Sequence, residues 1–284
     1  MSGAGGQLAT HVTEQLSAAG DDVLALDRSA LDITDAAAVV AALDDHRPDV
    51  VVNAAAYTAV DAAEEHEHLA AQVNEVGPRV LAEALASHDG ARTARLLHVS
   101  TDYVFDGRAT RPYEPDDPTG PQGAYGRTKL AGELAVRAAL PDRACVVRTA
   151  WVFGGPGANF VDTMLRLERE RETVDVVADQ IGSPTYAGDL AAGLIALGRS
   201  DVAGGTLHFA NAGQASWFDF AREVFRQTGA DPDRVRPTDS AAFARPAARP
   251  AWSVLSTAAW VAAGLGQPRP WQDALAAKLA RPGA

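Results

Sequence analysis

A single cysteine, Cys145, serves all 284 residues, which rules out an intrachain disulfide and any thiolate metal cluster. It lies in the apolar run ACVVRTAWVF and reads as a buried structural thiol. No apolar stretch reaches the roughly 18 residues that a bilayer span needs. The N-terminus also lacks the charged and apolar regions of a secretory signal. A cytoplasmic protein with no membrane partner is expected. Basic residues are scarce as well: 25 Lys and Arg against 37 Asp and Glu leave a net charge of −12. That charge repels a phosphate backbone, so nucleic acid is excluded as a partner, whereas a small anion held by local donors is not. Finally, almost nothing stands before the glycines of MSGAGGQLATHV, where only Met1 and Ser2 precede Gly3.

What is present is an alternation of short apolar runs and longer helical patterns. Residues 22–27, 49–56, 95–105 and 144–153 are rich in Val and Leu and read as strands covered on both faces. Between them, 6–20, 35–48, 64–88 and 124–140 carry apolar residues at helical spacing. Repeated βαβ units of this kind make a doubly wound parallel α/β sheet. After residue 151 the pattern loosens, with strands expected at 174–180 and 206–213 and helices at 158–171, 187–198, 216–228 and 271–281. The reading is a Rossmann-type NAD(P)-binding domain over 1–151, to which about 187–211 returns. Residues 152–186 and 212–284 form a smaller substrate lobe.

Three signals suggest chemistry. Gly3 and Gly6, with Ala9 as the third small residue, match a turn whose backbone N–H groups approach a pyrophosphate at a helix start. Asp27 follows about 20 residues later, where a strand-end acid accepts from ribose hydroxyls, and the adjacent Arg28 suits a 2′-phosphate, so NADH and NADPH both stay open. Tyr125 and Lys129 stand at i, i+4 on one helix face. A lysine ammonium beside a phenol lowers the phenol's pKa and makes it a proton carrier at a carbonyl oxygen, to which Thr101 can also donate. His66 and His68 in EEHEHL read as a solvated helix start, and no metal is assigned.

The strand ending in Ser-Thr, the YGRTK pair, the glycine turn and the strand-end acid together resemble the extended short-chain dehydrogenase/reductase superfamily. NAAAYTAVDAAE, VSTDYVFDG, YGRTKLAGE, RTAWVFG, DQIGSPTYAGDLA and RPAWSVLST narrow the resemblance to the dTDP-4-dehydrorhamnose reductase family, nearly end to end. That family reduces the 4-keto group of a dTDP-6-deoxyhexulose with NADPH or NADH. The resemblance implies Tyr125 as general acid, Lys129 as its pKa partner and ribose ligand, and Thr101 on the substrate oxygen. Asp102 and Trp151 would contact the sugar nucleotide. Gly6, Gln7 and Leu8 would follow the pyrophosphate, and Asp27 the adenosine ribose. Asp32 and Ile33 would line the adenine pocket, with Ala54, Ala55, Ala56, Tyr57, Thr58 and Val99 flanking the cofactor.

Tyr103 stands where the related dehydratases place a glutamate, which argues against dehydration. A 4-epimerase, another nucleotide-sugar 4-ketoreductase and a non-catalytic cofactor-binding subunit of the same fold are the alternatives, and the protein is expected as a monomer or homodimer. Some relatives bridge a dimer through Mg²⁺ on glutamates, and His11 stands at one such position. The departure is the start: family members open with a full strand before the glycine turn. The expectation is a truncated first strand, arising from a start assigned too late.

Overall fold

The computed structural model describes residues 1–91 and 93–281; Arg92 and 282–284, the end of the expected substrate lobe, lie outside the described residues. Strands β1 (Val50–Asn53), β2 (Arg95–Thr101) and β3 (Ala144–Thr149) run parallel in that order, with Gly205–His208 beside β3. Alternation along these strands divides the core. Val51, Leu96, Ala144 and Val146 face Val39, Leu43, Leu81, Leu85 and Val136 from the helices Ala36–His46, Gly77–Ser87 and Ala124–Ala139. Their neighbours Val52, Leu97, Cys145 and Val147 face Leu8, Val12, Leu190 and Leu194 from the helices Gln7–Ala19 and Ala187–Gly198. A period of two therefore buries both faces, which is why the strands read as unbroken apolar runs. A further core gathers Phe153, Val161, Met164, Phe220, Phe225 and Trp271 beyond the sheet.

The helices fall within a few residues of expectation except 64–88, which breaks into Val60–Glu65, Glu67–Ala71, a π-helical turn at Gln72–Val76 and Gly77–Ser87. Expected strand 95–105 stops at Thr101, because its side-chain oxygen caps a 3₁₀ turn at Asp102–Val104. Expected strand 144–153 breaks at Ala150 and at Trp151, whose φ of 47° cannot continue a pleat.

The largest departure is at 22–27, where only Leu26 makes a sheet contact. Ser2 bridges both Leu26 and Asn53, so the N-terminus occupies the centre of the sheet for a residue or two and no more. Ser2 N donates to Val52 O at 2.9 Å on one side, and Leu26 N donates to Met1 O at 2.8 Å on the other. Upstream of that contact the two flanking segments separate around a cavity of about 730 Å³ lined by Met1, Leu16, Leu24, Val50 and Leu194 among others. Apart from that bridge the apolar run at 22–27 makes no ladder, so it is not a strand.

The helix Ala124–Ala139 is fastened to β3 by a buried ion pair. Arg148 Nη2 donates to Glu133 Oε2 at 2.7 Å, with side chains 4% and 2% exposed. Arg148 also donates to Pro115 O at 3.0 Å and lies 5.0 Å over the Phe105 ring. Removing one partner of such a pair leaves a buried charge. Glu133→Ala should therefore lower unfolding stability by about 3–5 kcal/mol, while Glu133→Leu combined with Arg148→Met should recover most of it. Urea titrations of the three proteins read this directly.

Candidate active site

The carboxyl ends of β1 and β2 and the N-terminal half of Ala124–Ala139 converge at the point where the chain crosses from one side of Ser2 to the other. In open parallel sheets that switch point is where ligands bind. Gly3 and Gly5 hold φ of +84° and +83°, and a Cβ on Gly3 would come 2.7 Å from Ala55 N. The glycine turn is thus pressed against the 54–58 loop, an approach closed to any other residue. Gly6 opens the helix Gln7–Ala19 with no side-chain cap, leaving its first-turn N–H groups facing outward, as an anion requires.

Thr101 ends β2 at 6% exposure. Its hydroxyl donates to Asp102 Oδ1 at 3.0 Å and accepts from Tyr103 N at 3.2 Å. Tyr125 meets Thr101: burial raises the phenol's pKa above its usual value, and the Thr101 side chain against its hydroxyl opposes that rise. Lys129, 1% exposed, donates from Nζ to Val99 O at 2.7 Å, and burial brings its pKa down to about 8. The expected lowering of the Tyr125 pKa by Lys129 is absent. Desolvation dominates, and the Asp102 and Tyr103 charges add to the rise. A phenol that holds its proton is nevertheless the form a proton donor needs.

Asp102 is 2% exposed, and burial pushes its carboxyl up to about 6. Ser253 and Thr101 oppose the rise, yet Oδ2 keeps no hydrogen-bond partner. Tyr103 packs edge-on to Tyr125 with ring centroids 5.6 Å apart. Tyr57 and Tyr125 lie against one small alanine cluster, which brings the loop of Ala54, Ala55, Ala56, Tyr57 and Thr58 to the same place.

Other expected contacts are arranged differently. Leu8 and Ile33 are buried core residues, and Ile33 fills the space a Cβ on Gly77 would occupy. Ile33, 5% exposed, packs in the same core as Val39 and Leu43. Asp27 and Asp32 are exposed, but each has one oxygen bound to its own turn: Asp27 Oδ1 by Ser29 and Ala30, Asp32 Oδ1 by Thr34. Arg28 is exposed beside them. Gln7 reaches the opposite wall, its Oε1 accepting from Gly155 N at 3.3 Å. Trp151 stacks on Trp217 with centroids 3.5 Å apart and planes 8° from parallel.

Several organising residues carried no local signal. Asn53 accepts from Ser2 Oγ at 2.8 Å and from Ala55 N at 3.1 Å. Asn74, on the π turn, accepts from Tyr57 N at 2.8 Å and donates to Thr128 Oγ1 at 3.1 Å. Trp217, Asp61 and Arg249 were equally silent.

The family described as RmlD substrate binding domain matches residues 1–282. The dTDP-4-dehydrorhamnose reductase of Mycobacterium tuberculosis is 54% identical over 99% of this chain and 92% of its own. The chain belongs to this family, within the extended short-chain dehydrogenase/reductases. A probable dTDP-4,6-dihydroxy-2-methyloxan-3-one 4-ketoreductase of Streptomyces antibioticus is 52% identical over 97% of this chain and 92% of its own. Among solved structures, the Bacillus anthracis reductase in complex with NADP superposes with a TM-score of 0.92 at 37% identity, covering 98% of this chain and 96% of that one. A Streptomyces venezuelae dTDP-glucose 4,6-dehydratase, at 19% identity and a TM-score of 0.82, shares the fold. Among the described residues no helix is long and apolar enough to cross a membrane.

Burial of the Asp102 carboxyl makes stability depend on pH. With its carboxyl raised from 3.8 to about 6, the folded protein keeps a proton between those values that the unfolded chain releases. Stability from this group is thus highest at low pH, falls as pH rises through that window, and stays reduced above it. Asp102→Asn should gain about 2–3 kcal/mol relative to the unaltered protein between pH 4 and 7, read from urea midpoints at both pH values.

Proposed function

We propose that this chain reduces the 4-keto group of dTDP-4-dehydro-L-rhamnose to dTDP-L-rhamnose, using NADPH or NADH. The observation that carries the reading is the placement of Tyr125 against Thr101 at the end of β2, with Lys129 one helical turn away and anchored on the Val99 carbonyl at 2.7 Å. The uncapped helix start behind Gly3, Gly5 and Gly6 fits a dinucleotide pyrophosphate. Gln7 and the 54–58 loop would flank it, and Arg28 and Asp27 would stand at the adenosine ribose. A reduced nicotinamide supplies a hydride to carbon 4.

The chain's own residues do the rest. Thr101 donates to the sugar O4 and orients the carbonyl. Tyr125 gives its proton to O4 as negative charge develops there. Lys129, fixed by the Val99 carbonyl one helical turn from Tyr125, would hold the ribose beside the nicotinamide. Asp102 Oδ2, buried without a partner, accepts a hydroxyl of the sugar. Trp151 and Trp217 offer a flat apolar wall to the sugar nucleotide.

Tyr125→Phe should lower turnover of dTDP-4-dehydro-L-rhamnose by about 10²-fold or more, followed as NAD(P)H absorbance. Cofactor binding without turnover in the unaltered protein would instead identify a regulatory subunit. The Streptomyces antibioticus relative favours a second reading, a reductase of another dTDP-4-keto sugar, which the same assay decides when both sugars are offered. Arg28→Ala should raise KM for NADPH by about tenfold and leave KM for NADH unchanged if the guanidinium meets a 2′-phosphate.

A further inference from the structure

Asp61 lies on the helix Val60–Glu65, directly after the loop that approaches the glycine turn. Its carboxylate receives both Nη atoms of Arg249, Nη2 at 2.9 Å, together with the Ala247 backbone N–H at 3.2 Å. Arg245 stands 3.5 Å away on the solvent side. Residues 241–246 are exposed, but Ala247 is tucked in at 3% exposure where it meets Asp61. The segment that follows crosses the site. Trp252 N donates to Gly107 O, Ser253 N donates to Ile181 O, and the Ser253 side chain lies near Asp102. Arg249 also faces the Tyr103 hydroxyl, and the Tyr103 ring stands edge-on to Tyr125. A chain of contacts thus runs from Asp61 through Arg249 and Tyr103 to the proton donor.

We propose that Asp61 is a positioning residue: by clamping Arg249 it fixes the 244–253 strap over the site and holds Tyr103 against the ring of Tyr125. The proposal rests on the reductase reading. Bidentate pairing, with a backbone N–H as a third donor, fixes direction as well as distance. The pair is partly open to solvent, with side chains 30% and 18% exposed, so it contributes little to global stability. Its effect falls on the aim of Tyr125, where displacement by about 1 Å can cost about 10²-fold in rate.

Asp61→Asn preserves shape and removes the charge that orients Arg249. It should lower kcat by about 10- to 100-fold. Tm and the Kd for NADPH should stay unchanged, and Asp61→Glu should restore part of the rate. Tyr103→Phe should lower kcat in the unaltered background and add little to Asp61→Asn, since both act along one path. Additive losses, or a kcat loss that follows Tm or cofactor affinity, would overturn the proposal. If the unaltered protein turns over neither keto sugar, the reductase reading fails on its own. Amide exchange across 244–253 then still tests the clamp: faster exchange in Asp61→Asn supports it, and unchanged exchange overturns it.

Discussion

A buried ammonium at the end of a strand organises the site. Lys129 is 1% exposed, and its Nζ is anchored on the Val99 carbonyl. Such a charge is tolerated only where it is hydrogen-bonded, so the contact fixes the helix Ala124–Ala139 in register with β2. Tyr125 one turn earlier is then placed over Thr101, and Glu133 one turn later reaches Arg148 on β3. Three residues at i, i+4 and i+8 form one stripe whose two charged members carry structure and whose aromatic member is the proposed proton donor. Gly126 makes the close approach possible, because a Cβ there would sit 2.2 Å from Tyr103 O.

The parts of the site legible in the sequence were those written in short spacings. Tyr125 and Lys129 share a helical face, Thr101 closes an apolar run, and the glycine turn precedes an amphipathic helix; the fold brings the first three together. The parts that were not legible depend on distant partners. Asp61 and Arg249 are separated by 188 positions, and Trp151 stacks on Trp217 from a distant part of the chain. The helix 64–88 is interrupted at His66, whose φ of −125° leaves the helical region, and widens into the π turn Gln72–Val76 that carries Asn74 to Tyr57 and Thr128. Periodicity does not report a partner on a distant segment. Leu8 and Ile33 both pack their side chains into the core.

Two buried asparagines hold the loop between β1 and the site. Asn53 ties it to Ser2 and, through Nδ2, contacts His98 at 3.2 Å. Asn74 ties the same loop to the catalytic helix. The extra residue of the π turn gives Asn74 its reach, and Gly132 leaves room for that turn, since a Cβ there would lie 2.0 Å from Asn74 O. The π turn at Gln72–Val76, remote from Tyr125 in sequence, thereby sets the backbone that faces the glycine turn.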